Sequence, residues 1–105
     1  MIVACTYYVN TPKLKVIGKD QELSVEEVNR KAIRLAFEVR NEKGNEHCLV
    51  CGDISNSTVY VIDDPKSHEI VLNMFREQAR WAKEEGVDFI LAETINSVGE
   101  ALLAL

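Results

Sequence analysis

Val87-Asp88-Phe89-Ile90-Leu91-Ala92-Glu93-Thr94 is the stretch that decides how this chain folds. It follows Gly86, runs mostly apolar, and ends on a carboxylate and a hydroxyl. A run of this length, with its polar groups gathered at the carboxyl end, predicts a buried parallel strand. In parallel α/β proteins that end of the sheet is where ligands bind. Glu93 is therefore the first candidate for a functional residue.

Working outward, the segment before this strand predicts a helix that stops at Gly86. Asp64-Pro65 is a plausible start, with Pro65 at the first helical position and Ser67 as a competing cap. Ile70, Val71, Met74, Phe75, Ala79 and Ala82 form its apolar stripe, with Trp81 at the border. Met and aromatic residues at this spacing read as core rather than as a cofactor box. Earlier, His47 to Gly52 predicts a second strand, followed by the polar cluster Asp53-Ile54-Ser55-Asn56-Ser57-Thr58 and a short extended piece, Tyr60-Val61-Ile62.

Ser24-Val25-Glu26-Glu27 has the form of a capping box. Val25, Val28, Ala32, Leu35, Ala36 and Val39 continue it as one helical stripe, and Gly44 is a natural stop. Ile2 to Val9 is rich in β-branched and aromatic residues and predicts the first strand. A polar connection from Lys13 to Leu23 follows it. After the opening stretch, Ser97-Val98-Gly99-Glu100 is a second capping box, leading into Ala101-Leu102-Leu103-Ala104-Leu105. The order β-α-β-α-β-α implies parallel strands joined by helical crossovers. It fits a small doubly wound sheet, or about three βα units of an eight-fold barrel.

Composition narrows the function classes. The 105 residues are 47% hydrophobic and 28% charged, which is globular. The net charge of −5, with both signs interspersed, argues against nucleic acid or an anionic membrane as partner. No apolar run approaches the ~18 residues of a membrane span. A basic leader is not evident, so a cytoplasmic location is expected. The three cysteines, Cys5, Cys48 and Cys51, fit a reducing compartment. Cys48 and Cys51 have CxxC spacing, but on a strand residues three apart face opposite sides, so neither a disulfide nor a shared metal is expected.

Each strand ends in polar groups: Thr6-Tyr7-Tyr8, then Asp53 with Ser55 and Asn56, then Glu93 with Thr94. In a parallel sheet they converge on one rim, as a small-molecule site requires. Strand ends also meet solvent, which alone accounts for polar residues there. Asp53 reads equally as a turn or capping residue. His47 lies at the opposite end of its strand, and His68 reads as surface. There is no Walker loop, GxGxxG or GxSxG. Gly52 to Asn56, with one glycine and an acid, makes a poor phosphate cradle.

At Phe89-Ile90-Leu91-Ala92-Glu93 and the helix start after it, the chain resembles the homocysteine S-methyltransferase family, on its betaine-using side. Thr6-Tyr7-Tyr8 with Lys13-Leu14 resembles that family's second barrel strand. Leu49-Val50-Cys51-Gly52, Ile54-Ser55-Asn56 and Tyr60 resemble the third strand and its loop, and Phe75 to Glu93 the fourth. The resemblance is collinear over nearly the whole chain.

The resemblance implies an incomplete (β/α)8 TIM barrel, roughly strands two to four, in a protein that transfers a methyl group from betaine or a related donor to homocysteine. It implies that Glu93 binds the homocysteine amino group and that Tyr8, with Tyr7 beside it, belongs to the methyl-donor pocket. It also implies a zinc ion held by three cysteines, which makes the substrate thiol a thiolate. The family's Asp-Gly-Gly, Asn-Cys and Gly-Gly-Cys-Cys elements do not occur here, and Cys5, Cys48 and Cys51 do not match the zinc positions. Ala4 and Asp53 also depart from the betaine-using pattern. The chain is thus expected to be inactive alone and to bind no zinc by itself. The alternative is a non-catalytic α/β interaction module, for which a homo-oligomer would cover the sheet edges and the apolar Leu102-Leu103-Leu105 end.

Overall fold

The computed structural model describes residues 1–13, 24–44 and 47–105. Three parallel strands lie in sequential order: β1 (Ile2–Val3), β2 (Val50–Ile54) and β3 (Phe89–Ala92). They alternate with the helices α1 (Val25–Glu42), α2 (Pro65–Glu84) and α3 (Val98–Leu103). Residues 11–13 are helical, and the rest of the connection expected to be irregular, residues 14–23, lies outside the described residues.

The buried strand is β2, not the stretch from Val87 to Thr94. All five residues of β2 are buried, because β1 pairs along one side and β3 along the other. β3 is an edge strand, with Phe89 36% and Ile90 37% exposed. An apolar run reports affinity for a core; the order of strands decides which run gets two neighbours.

Strand limits also differ from the sequence reading. The ladder of β1 ends at Val3, far short of Val9. Ala4 still donates its N–H to Cys51 O at 2.9 Å, but Thr6 N turns back to Ala4 O at 2.7 Å and Val9 N to Thr6 O at 2.9 Å. The Thr6 side chain takes over the pairing: its hydroxyl donates to Asp53 O at 2.8 Å and accepts from Asp53 N at 3.1 Å. Both backbone groups of a buried residue are thereby satisfied where the strand has turned away. β2 in turn starts later than His47 and continues through Ile54. His47 and Cys48 precede it, and Asp53 lies within it rather than in a turn.

The helix starts follow local chemistry. Ser24 Oγ accepts from Glu27 N at 3.2 Å, and Glu27 returns the contact to Ser24 N at 2.8 Å. Asp64 caps α2 by accepting from Lys66 N at 3.0 Å, ahead of Pro65 at the first turn. Ser67 does not cap; its hydroxyl accepts from Val61 N at 2.9 Å, beside a turn at residues 62–63 closed by Asp64 N to Val61 O at 3.1 Å, and the extended piece expected over Tyr60-Val61-Ile62 is not a strand.

Helix faces were less legible. The buried residues of α1 are Asn29, Ile33 and Ala36, whereas Leu35 is 57% exposed and Val39 is exposed too. The contact face is rotated toward the flank that meets α2. There Arg30 pairs with Glu84 and with Glu85 at 3.0 Å, and Arg34 pairs with Glu85 at 2.7 Å. Arg34 is the leading cause that holds the Glu85 carboxyl below its ordinary range. In α2, Trp81 and Gln78 are buried, while Ile70 is exposed.

Val50, Gly52 and Ile54 alternate toward the helices. Val50 packs in one cluster with Ala4, Ile33, Ala36 and Ala82; Ile54 packs in another with Val71 and Phe75. Gly52 lies between them, where an added Cβ would stand 3.0 Å from the Ala82 Cβ. Both long helices therefore cover one face of the sheet. Cys51 and Asp53 point to the other face, in register with Phe89 and Leu91.

Ile33→Ala should lower unfolding free energy by about 2–5 kcal/mol, the usual cost of truncating a buried branched chain. Leu35→Ala should stay within about 0.5 kcal/mol. Urea denaturation of both variants checks this, and a larger loss at Leu35 would reject the rotated face.

Candidate functional site at the carboxyl rim

Glu93 directly follows β3, and its backbone N–H donates to Ile54 O at 3.0 Å. This contact continues the parallel pairing one step past the strand. Alternation therefore gives Glu93 the same side of the sheet as Leu91 and Asp53. Its side chain is partly exposed at the rim.

Tyr7 and Tyr8 reach that rim from the turn after β1. Tyr8 N donates to Ser55 Oγ at 3.0 Å, which fastens the turn to the loop after β2. The two phenol rings lie 4.3 Å apart between centroids, tilted by 53°. The hydroxyls of Tyr7 and Thr94 are hydrogen bonded at 3.2 Å. Tyr7, Tyr8 and the Glu93-Thr94 pair, expected to converge from two strand ends, are thus brought together. The Lys13 ammonium stands 4.6 Å from the Tyr8 ring centroid, so this aromatic face already holds a cation.

Two rim residues have backbones in the left-handed region, Tyr8 with φ +59° and Thr94 with φ +52°. A β-branched residue there is costly, on the order of 1–3 kcal/mol, and persists only where surrounding contacts fix it. The contacts to Ser55 and Tyr7 do so here.

Asp53, placed at the rim by the sequence but read equally as a turn or capping residue, lies within β2. It is only 3% exposed, and its Oδ1 is buried without a hydrogen-bond partner. Burial, and then the charge of Glu93, push its carboxyl from 3.8 up to about 6. The signal in the sequence was an acid flanked by Gly52 and Ile54 inside an otherwise apolar run. Burial, with Asp53 next, also pushes the Cys51 thiol up, so Cys51 is a protonated core side chain and a poor nucleophile.

The loop after β2 is held from a second direction. Ser97 caps α3 by accepting from Glu100 N at 3.1 Å, but the Glu100 carboxylate does not close the expected box. It is buried and accepts from Ser57 N at 2.6 Å. His68 stacks on Tyr60 with centroids 4.8 Å apart. His47 is exposed before β2.

The raised Asp53 value has a definite sign for stability. The folded state holds that proton more tightly than the unfolded chain, so ionising Asp53 costs stability. The cost is absent below pH 3.8, grows as pH rises, and is complete above about 6. Asp53→Asn should therefore be more stable than the parent at pH 7.5 by on the order of 2 kcal/mol, with the gap closing near pH 4. Denaturation at the two pH values measures it; a gap that is independent of pH would remove the ionised buried carboxylate.

The family model described as homocysteine S-methyltransferase matches residues 1–105. The chain is 33% identical over 102 residues to betaine–homocysteine S-methyltransferase 1 of Xenopus tropicalis, covering 95% of this chain and 24% of that protein. Against the Sus scrofa protein of the same name, identity is 31% over 102 residues, covering 95% and 35%. Against that of Danio rerio it is 32% over 96 residues, covering 91% and 23%. The chain thus spans well under half the length of these relatives. With the family model matched from the first residue to the last over a parallel βα framework, this chain belongs to the homocysteine S-methyltransferase family.

Proposed function

We propose that the chain forms strands two to four of a (β/α)8 barrel, and that in the intact protein it supplies part of the grip on homocysteine and on a betaine-like methyl donor. The carrying observation is the meeting of the Glu93-Thr94 strand end with the Tyr7-Tyr8 turn through the Thr94–Tyr7 hydrogen bond. The barrel reading is supported by both long helices covering one face of a sheet whose strands run in sequential order. A doubly wound sheet places helices on both faces.

The roles follow from charge and shape. Glu93 accepts from the ammonium group of homocysteine. A quaternary ammonium has no N–H to donate and is attracted by aromatic faces; it would take a Tyr7 face, or the Tyr8 face in place of the Lys13 ammonium. In the reaction, sulfur forms a bond to the methyl carbon while the carbon–nitrogen bond breaks and its electron pair stays with the departing amine. Such a displacement needs the two reactants in line, so the contribution of these residues is alignment.

Zinc, which the resemblance implies, would activate the thiol. The cysteines of this chain do not fit as its ligands, since Cys5 is exposed, Cys48 partly so and Cys51 buried. No group of three or more potential ligands gathers among the described residues. We place the zinc ligands outside this chain. The location also stays a proposal, a cytoplasmic one; none of the described helices is long and apolar enough to cross a membrane.

Glu93→Gln should weaken homocysteine binding by about 1.5–3 kcal/mol, the scale of a hydrogen bond to a charged group. Tyr8→Ala should instead weaken betaine, by about 0.5–2 kcal/mol. Calorimetric titration of each ligand reads both effects. Unchanged homocysteine affinity in the first variant removes Glu93 from the site, and a loss of homocysteine affinity in the second reverses the two halves.

A second reading, a self-associating module, is favoured by the open edge of β3 and by exposed Val98, Leu102 and Leu105. Sedimentation separates the two: a concentration-dependent dimer supports the module, and a monomer that binds homocysteine supports the barrel segment.

A further inference from the structure

Tyr7 and Tyr8 are the central residues of a turn that Val9 N closes by donating to Thr6 O at 2.9 Å. Both ends of the turn are buried. Thr6 is held to β2 through the backbone of Asp53. Val9 is held through its carbonyl oxygen, which accepts from Asn29 Nδ2 on α1 at 2.9 Å and from Gln78 Nε2 on α2 at 3.3 Å. Two helices thus meet on one oxygen, one residue beyond the aromatic pair. Asn29 is itself anchored, since its amide also donates to Val25 O, one turn back in α1, at 2.9 Å. Tyr8 occupies the third turn position with φ +59°, where glycine or asparagine is usual, so contacts from outside must hold the turn in this shape.

Gln78 separates position from stability. It is buried, and its Oε1 has no hydrogen-bond partner among the described residues. The carbonyl of Val9 turns the amide this way, because it accepts only from the nitrogen. A buried acceptor left unpaired costs more than one long neutral hydrogen bond returns. For stability alone, an unbranched apolar side chain would serve better at this position. We propose that Asn29 and Gln78 are positioning residues of the methyl-donor pocket: their amides clamp Val9 O and so set the angle at which Tyr7 and Tyr8 present their rings. The clamp stands on the turn itself; only the ligand, a quaternary ammonium, rests on the function proposed above. Glu93 hangs from Ile54 O across the pairing of β2 and β3, outside the clamp. The clamp therefore acts on the donor and leaves homocysteine alone.

The test compares the chain with its Gln78→Met variant, which keeps the length of the side chain and removes both amide groups. Urea denaturation should find the variant at least as stable as the parent. With the tyrosine rings labelled for NMR, the Tyr7 and Tyr8 resonances should move and those of Tyr60 should stay in place. Betaine should bind at least about threefold more weakly, and L-homocysteine within about twofold of the parent. In the unsubstituted chain, a coupling through the hydrogen bond should join Asn29 Nδ2 to the Val9 carbonyl carbon. Unmoved Tyr7 and Tyr8 resonances, an absent coupling, or a variant that is less stable or does not fold overturns the clamp. An equal loss of affinity for both ligands also overturns it, because that marks a general loosening, and so does betaine affinity kept at the parent's value. A parent that binds no betaine, with Tyr7 and Tyr8 still moved by the substitution, overturns the function proposed above and supports the clamp on the turn.

Discussion

The described fold is arranged around β2, whose five residues are all buried, with β1 and β3 along its edges and both long helices on one face. Its outward residues Val50 and Ile54 anchor two separate clusters, and Gly52 between them lets Ala82 come within contact distance of the backbone. A side chain at Gly52 would push α2 away and loosen both clusters together. Because β1 and β3 pair along its two edges, β2 also fixes where their carboxyl ends arrive. The polar rim is a consequence of that registration, since Thr6, Ser55 and Glu93 each make a contact across adjoining strands or the loops that follow them.

A strand so enclosed leaves no inexpensive place for a charge, yet Asp53 sits in it. Its backbone is fully satisfied and its carboxyl is not. Similar conflict marks the backbone of Tyr8 and Thr94. Broken local rules gather where the strands end, and α2 adds two more, since Gln78 Oε1 and Trp81 Nε1 are also buried without partners among the described residues.

What could be read in the sequence was what depends on near neighbours. Ser24 with Glu27 and Asp64 with Pro65 mark helix starts because capping is settled within four residues. The family was legible because residues from Thr6 to Glu93 occur in collinear order. Sheet order, helix rotation and strand ends were not legible. Whether Val87 to Thr94 is buried depends on having a second neighbour, and whether Leu35 faces the core depends on which flank of α1 packs, here that of Ile33 and Ala36. Asp53 looked like a turn residue because the partner that keeps it extended, Thr6, lies 47 positions away. Glu100 looked like half of a local box for the same reason: its acceptor oxygen goes to Ser57, 43 positions earlier.

That last contact has a kinetic side. The segment from Ser55 to Ser57 carries the hydroxyl that steadies Tyr8, and its far end is fastened to a helix of only six residues. So short a helix has little stability of its own and stays in place through its packing. The Ser57 amide can exchange its hydrogen with solvent only when α3 lifts, so its exchange rate counts the openings of that helix. The shape of the aromatic turn is thus tied to an event more than ninety residues away in the chain, the lifting of that short helix.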